Sequence, residues 1–397
     1  MKIDELKTPV YVIDEEILRE NCKILKEVQD KSGAKILLAQ KAFSAYSTYP
    51  LIAEYLSGTT SSGLFEAKLA FEEFYPNGPR NMFPEIHVFE PAFGAEEMKK
   101  ICDIADHLVF NSLNQLEFHR SVWEKAISEK GTNNNPEIRN GLSVGLRINP
   151  EFSTQDGHEI YDPCAPGSRL GIRKCDLPEE LPKGVEGLHF HTLCEQGFEP
   201  LKNTFTAFEK SFGKYLSEIK WLNLGGGHHI TKPDYDRDGL IDLIKYIKEK
   251  YCIEVYLEPG EAIALDAGYL VTTVMDIVKT DKYPVLILDT SAACHMPDVL
   301  EMPYRPPLKD SGEAEEMQYT YRLSSRTCLA GDVIGDYSFD HEIKIGERLT
   351  FQDMAIYSMV KNNTFNGMPL PDIAILHEDE NADVLKQFGY EDFKMRL

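Results

Sequence analysis

Residues 221–260, WLNLGGGHHITKPDYDRDGLIDLIKYIKEKYCIEVYLEPG, carry one complete structural period. The apolar run at 221–225 reads as a buried strand and leads into three consecutive glycines; residues 240–251 repeat apolar side chains at helical spacing; 254–258 is a second apolar run, closed by Pro259-Gly260. A strand, a glycine turn, an amphipathic helix and another strand, in that order, make a βα unit feeding the next parallel strand.

The same rhythm extends towards the N-terminus. Short strand-like runs at 35–42, 58–62, 85–90, 108–111, 143–149 and 187–193 bring the total to eight, with helical patterns between them such as 64–74 and 95–104. Eight repeats predict a closed (β/α)8 barrel over residues 31–265. Polar, Gly/Pro-rich stretches around 133–136 and 152–166 are expected loops at strand ends, where barrels of this kind carry their chemistry. After about residue 265 the pattern turns to strands, as at 269–276, 284–289 and 348–351, so residues 266–397 are expected to form a β-rich domain, sandwich- or barrel-like. Thr8-Pro9-Val10-Tyr11-Val12-Ile13-Asp14 also reads as a strand. Residues 1–30 are therefore expected to pair with that later domain before the chain enters the barrel.

Composition narrows the function classes. A chain of 397 residues with 42% hydrophobic and 27% charged residues has ample core for two domains and no apolar run of membrane-spanning length. A net charge of -23 repels phosphate backbones, which argues against a nucleic-acid partner and suits a cationic substrate as well as plain solubility. The first residues, Met1-Lys2-Ile3-Asp4-Glu5-Leu6-Lys7, mix acids with bases and lead into no apolar core, so no secretory signal is expected. Eight scattered cysteines without CxxC pairs fit a reducing compartment, and the cytoplasm is the expected location.

Four strand ends carry candidate chemistry. Leu37-Leu38-Ala39-Gln40-Lys41-Ala42 puts a lysine at the rim, where its amine could bond an aldehyde cofactor. Leu222-Asn223-Leu224-Gly225-Gly226-Gly227 could turn backbone N–H groups into one concavity and hold a phosphate, or be only a flexible turn. Tyr256-Leu257-Glu258-Pro259-Gly260 offers a carboxylate for a protonated ring nitrogen, or for a structural ion pair. Gly187-Leu188-His189-Phe190-His191 brings two histidines to one strand face. One of them could lie against a cofactor ring; as a metal pair they lack a third and fourth ligand at suitable spacing, so no metal is expected. Beyond the barrel, Arg326-Thr327-Cys328-Leu329-Ala330-Gly331-Asp332 sets a thiol and an acid beside a turn, where Cys328 could be inert or could move a proton.

Taken together, Lys41, His191, Gly225 to Gly227, Glu258-Pro259-Gly260, Cys328 and Tyr357 resemble the fold-III, alanine racemase-like pyridoxal-phosphate decarboxylases, the group that holds ornithine, arginine and diaminopimelate decarboxylases. Ser61-Ser62-Gly63-Leu64-Phe65-Glu66, the segment His295 to Pro306 and Thr327-Cys328-Leu329-Ala330-Gly331-Asp332 narrow the resemblance to the carboxynorspermidine/carboxyspermidine decarboxylase family within that group. The resemblance implies a carboxy-lyase of polyamine and spermidine biosynthesis that uses pyridoxal 5'-phosphate. Lys41 would carry the cofactor covalently, His191 would stack on its ring, and Glu258 would pair with the ring nitrogen. Gly226, Gly227, Gly260 and Tyr357 would hold the phosphate, and Cys328, supplied by the other subunit of a homodimer, would protonate the α-carbon.

Departures from the group bear on the substrate. Many relatives read Glu-Pro-Gly-Arg where this chain has Glu258-Pro259-Gly260-Glu261, which removes a cation and speaks against diaminopimelate. Asp298 and Glu301 are acids where a carboxylate clamp would need bases, and they suit a substrate ending in an amine, a carboxylated triamine. Asp332, four residues after the cysteine, is a further substrate candidate. Arg147 and Arg169 could reach the cofactor or the substrate carboxylate, or form structural ion pairs; His228 and His229 could line the pocket or cap the next helix. The competing expectations are a diaminopimelate or basic amino-acid decarboxylase and a catalytically silent binding protein of the same fold.

Overall fold

The computed structural model describes residues 1–79, 83–130, 141–155 and 159–397. The polar stretch 133–136 lies outside the described residues, as do 156–158 of the stretch 152–166. The chain divides into two compact units. Residues 1–20, 42–44 and 264–397 form one, and residues 21–41 and 45–263 the other. The first boundary thus falls ten residues before the expected seam at 30, inside the helix Glu15–Ser32, and the last one two residues before 265.

Sixteen strands are present among the described residues. After β1 (Val10–Asp14) come β2 (Lys35–Ala39), β3 (Gly58–Ser61), β4 (Glu85–Glu90), β5 (His107–Phe110), β6 (Ser143–Arg147), β7 (Val185–His189), β8 (Trp221–Asn223) and β9 (Glu254–Leu257). These eight, β2 to β9, pair in sequence order, all parallel, and close through the β2–β9 pair. The strands are buried on both faces, so they read as near-continuous apolar runs, as in Lys35–Ala39, KILLA. The helix Arg237–Tyr251 shows how the intervening segments fold. Asp236 caps it by accepting the Gly239 N–H, and Leu240, Ile241, Ile244 and Ile247 make its buried stripe. Lys248 and Lys250 stand in the last turn, where cations suit the helix dipole, and Cys252 ends it in a left-handed conformation. The expected helix 64–74 is α-helical over Leu64–Leu69 and widens to a π-helix over Ala70–Phe74.

The other unit is a mixed sheet built from β1 and from β10 (Gly268–Val278), β11 (Val285–Leu288), β12 (Tyr319–Ser325), β13 (Val333–Phe339), β14 (Arg348–Gln352), β15 (Asp372–Leu376) and β16 (Ala382–Lys386). Its strand order is β13-β12-β11-β10-β1-β15-β16, with β14 on β10. β1 sits centrally, antiparallel to β10 and parallel to β15. Its core gathers Tyr11, Leu270, Leu323, Tyr337, Phe351 and Met354 among others. No described helix is long and apolar enough to cross a membrane.

Candidate active site

Side chains alternate along each barrel strand, so positions two apart share the interior. On β9 that face carries Tyr256 and, just past its end, Glu258; on β8 it carries Trp221 and Asn223; on β6, Gly145 and Arg147. The last member of each series arrives at the C-terminal end of the barrel. Lys41 follows β2 by two residues, in a turn. That turn is fixed by Gln40, fully buried, whose Nε2 donates to Ser61 Oγ (2.8 Å) and to the Glu66 carbonyl (2.9 Å), while its Oε1 accepts the Tyr49 hydroxyl (2.9 Å).

The structure brings Lys41, Arg147, His191, Glu258 and Glu261 into one electrostatic neighbourhood. Lys41 is closely surrounded yet open to solvent; burial, then the Arg147 charge, lowers its pKa against the pull of Glu258 and Glu261. Arg147 is buried, donates to the His191 carbonyl (3.1 Å), and lies over the Phe89 ring with its guanidinium carbon 4.6 Å from the centroid. Burial lowers its pKa to about 10, so it stays a cation at neutral pH. His191 is held neutral, first by burial and then by Lys41 and Arg147. Its Nδ1 accepts the Gly226 N–H (3.0 Å), which leaves the ring proton on Nε2.

Burial alone would raise the Glu258 pKa. His189, His87 and the Asn223 amide reverse that and hold the carboxyl well below the usual range. The Asn223 contribution is a firm bond, Nδ2 to Oε1 at 2.6 Å. His189 Nε2 lies 3.3 Å from Oε2 without hydrogen-bond geometry, and burial keeps that imidazole neutral, so Asn223 is the stronger anchor.

The glycines are needed for space. A Cβ on Gly226 would stand 2.0 Å from the Glu258 carbonyl oxygen, and one on Gly227, whose φ is +81°, 1.9 Å from that of Leu193. Contrary to the simple cradle expected, the Gly225 N–H is spent on Asn223 Oδ1 (2.8 Å) and the Gly226 N–H on His191. The N–H groups of Gly227 and Gly260 have no acceptor among the described residues. Arg169 is exposed on its loop, where its carbonyl accepts from Asn111 (2.9 Å), and its charge is felt by Arg147.

The two histidines after the glycines have partners. His229 Nε2 lies 2.7 Å from Glu261 Oε2, so Glu261 is largely buried and engaged, not simply exposed. His228 Nδ1 meets the Tyr235 hydroxyl at 2.7 Å, and burial, then His229, lowers its pKa to about 3.

The remaining candidates lie in the sheet unit. Asp298 and Glu301 both bind the Lys361 ammonium, Glu301 at 2.5 Å, so neither acid is bare. Asp332 is buried and saturated: it accepts from Ser291 (2.7 Å), Ser325 (2.6 Å), Thr327 (2.6 Å) and the Ala293 N–H (3.2 Å). That set makes Asp332 the anchor of the Cys328 loop and removes it from the expected substrate contacts. Cys328 itself is exposed, its N–H donating to Asn366 Oδ1 (2.7 Å). The Tyr357 N–H donates to the Ala42 carbonyl (2.8 Å).

Sequence reasoning gave no role of its own to Asn223, to His189 beside the chosen His191, to Glu66 or to Glu90. The period of two on each strand was the signal for the first two, since both lie one inward step from residues already singled out. Burial raises the Glu66 pKa and the Lys41 charge opposes it, which puts this acid in the lysine's field.

A rim lysine, a carboxylate held anionic and a glycine turn that admits no Cβ, at the C-terminal end of a parallel barrel, define a site for an aldehyde cofactor with a pyridine ring and a phosphate. The family profile described as "Pyridoxal-dependent decarboxylase, C-terminal sheet domain" matches residues 10–355, and the chain belongs to that family of pyridoxal-phosphate-dependent carboxy-lyases. It is 41% identical, over the whole of both chains, to the carboxynorspermidine/carboxyspermidine decarboxylase of Campylobacter jejuni. It is 38% identical to the carboxyaminopropylagmatine decarboxylase of a Synechocystis species, over all of this chain and 97% of that one. The structure of the Campylobacter jejuni carboxynorspermidine decarboxylase complexed with norspermidine superposes with a TM-score of 0.86 at 39% identity, covering 99% of this chain and 100% of the other. Diaminopimelate decarboxylase from Helicobacter pylori, at 17% identity and a TM-score of 0.79 over 99% of this chain and 97% of its own, shares the fold.

Proposed function

We propose that this chain decarboxylates carboxynorspermidine and carboxyspermidine to norspermidine and spermidine. The observation that carries the substrate is the full-length identity of 41% to a decarboxylase of that name, with acids rather than bases at Glu261, Asp298 and Glu301. When bound, pyridoxal 5'-phosphate supplies an electron sink for the pair left on the α-carbon as carbon dioxide departs.

The chain's own residues do the rest. Lys41 holds the cofactor aldehyde through an amine whose lowered pKa favours the nucleophilic form. Glu258, anionic and gripped by Asn223, keeps a proton on the ring nitrogen. His191 offers a neutral ring face, steadied by the Gly226 N–H at one edge and by Arg147 on its carbonyl. The N–H groups of Gly227 and Gly260 hold the phosphate. The substrate's far amine competes with Lys361 for Asp298 and Glu301. Cys328 returns the proton to the α-carbon, and its exposure on a loop supports delivery into a second subunit's site, hence a homodimer. A proton-bearing thiol needs reducing surroundings, which supports the cytoplasm as its compartment.

The test is carbon dioxide release from carboxynorspermidine, carboxyspermidine, carboxyaminopropylagmatine and diaminopimelate, with Lys41→Ala as control. Turnover of the first two, and loss in Lys41→Ala of both turnover and the visible absorption of bound cofactor, is the expected result. Turnover of carboxyaminopropylagmatine alone moves the substrate to the second relative's; turnover of diaminopimelate alone overturns it.

A further inference from the structure

The N-terminal end of the barrel holds a second polar group that the decarboxylation does not use. Glu85 opens β4, His87 follows one inward step later, and His107 opens β5 beside it. Their ligand atoms, one from each residue, lie within 4.8 Å of one another. We propose that Glu85, His87 and His107 bind a divalent transition cation of the zinc class at the end of the barrel opposite Lys41.

Two imidazoles and a carboxylate are a ligand set for such ions. Metal–ligand distances of about 2.0–2.2 Å place ligands of a tetrahedral ion about 3.3 Å apart, so the trio closes by small side-chain rotations. The second observation is that nitrogens here are left over. His87 is 1% exposed and spends Nε2 on Glu85 Oε2 at 3.1 Å; its Nδ1 and the Nδ1 of His107 are buried with no hydrogen-bond partner. Buried imidazole nitrogens are ordinarily satisfied, and an ion is one partner that uses lone pairs of neutral rings. Both rings are already packed: their centroids are 4.0 Å apart, His107 stacks on Trp221 at 4.8 Å, and His87 meets Tyr256 at 4.6 Å.

Lys35 is the built-in competitor. Its ammonium sits 2.5 Å from Glu85 Oε1 and 3.3 Å from the Tyr256 hydroxyl, and so supplies the positive charge this carboxylate needs when no ion is bound. Lys35 also lines, with Glu85, Lys26, Glu54 and Ser57, a cavity of about 280 Å³. The side chain, about a third exposed, has room to leave Glu85 towards that cavity, which is also the ion's way in.

The experiment strips the holoenzyme with a chelator and titrates it with zinc by calorimetry, then with cobalt(II) by visible absorption. The expected result is one zinc per chain, at least tenfold weaker binding in His107→Gln and in His87→Gln, and at least threefold tighter binding in Lys35→Ala. A partly exposed residue such as Lys35 can be removed without unfolding the barrel, so that variant keeps the test decisive if the histidine variants fold poorly. Zinc binding that ignores both the histidines and Lys35, as adventitious binding to cysteine thiols would, overturns the proposal, as does the absence of any site.

Discussion

The two ends of the barrel are made by the same strands and equipped with much the same chemistry, yet they are built for different ends. β2 opens on Lys35 and is followed by Lys41; β4 opens on Glu85 and closes on Glu90; the inward face of β9 carries Tyr256 and leads to Glu258 just past its end. Each end therefore has a lysine, a carboxylate and histidines. What differs is room. At the N-terminal end the Trp221 ring fills the interior, lying where a Cβ on Gly187 would stand 2.0 Å away, and on Gly145 2.3 Å. There the glycines admit a protein ring. At the C-terminal end Gly225, Gly226 and Gly227 make a turn with no side chains, and Lys41 stays open to solvent. The same residue types thus become a packed polar layer or a reactive centre according to the space left beside them.

The sharpest way to break this contrast is to neutralise one carboxylate at each end. Glu258→Gln should lower kcat by about 10²–10⁴-fold, the range for losing a positioned proton partner, while the fold survives because Asn223 can still bond an amide oxygen. Steady-state decarboxylation at saturating cofactor checks it; a loss under tenfold would remove Glu258 from the chemistry. Glu85→Gln should do the reverse. It leaves Lys35 and the buried His87 without their anion, a cost of about 1–3 kcal/mol in denaturant unfolding, with kcat changed less than twofold. Equal losses of activity in the two variants would erase the difference between the ends.

How far this was legible in the sequence follows from what each feature depends on. The barrel was visible because apolar runs and helical spacing are local, and the strand starts at 35, 58, 85, 143, 221 and 254 fall where the pattern places them. Lys41, Glu258 and the glycines were visible because a strand end is a local signal too. Partners were not. That Lys361 would cover Asp298 and Glu301, that Asp332 would be spent on Ser291, Ser325 and Thr327, and that His229 would meet Glu261 all depend on contacts between segments 5 to 63 residues apart. The Glu85, His87 and His107 group hides for the same reason: its third member is on the next strand, at a spacing no ligand motif uses.

The smallest effect tests the acids at the open end. Glu90 is about half-buried near Glu66 and Glu97; burial, then the Glu97 and Glu66 charges, raises its pKa to about 7. A carboxyl raised in the folded chain keeps a proton that the unfolded chain has already released between pH 4.5 and 7. Stability therefore falls as pH rises through that window, and the whole penalty is present above it. Glu90→Gln removes the titration, so thermal unfolding should show the variant level with the parent near pH 4.5 and more stable at pH 8, by a degree or two given how far solvent screens this group. The N-terminal end gives the opposite sign. There the His87 hydrogen bond and the Lys35 charge overcome burial and hold Glu85 well below its ordinary pKa, so its contribution is lost only as pH falls into the acid range. Matching differences from the parent for Glu90→Gln and Glu85→Gln between about pH 3 and 8 would mean that room does not set the charge state at either end; a Glu90→Gln gain that grows between pH 4.5 and 7, beside a Glu85→Gln loss that is constant above pH 4.5 and shrinks below it, keeps the contrast.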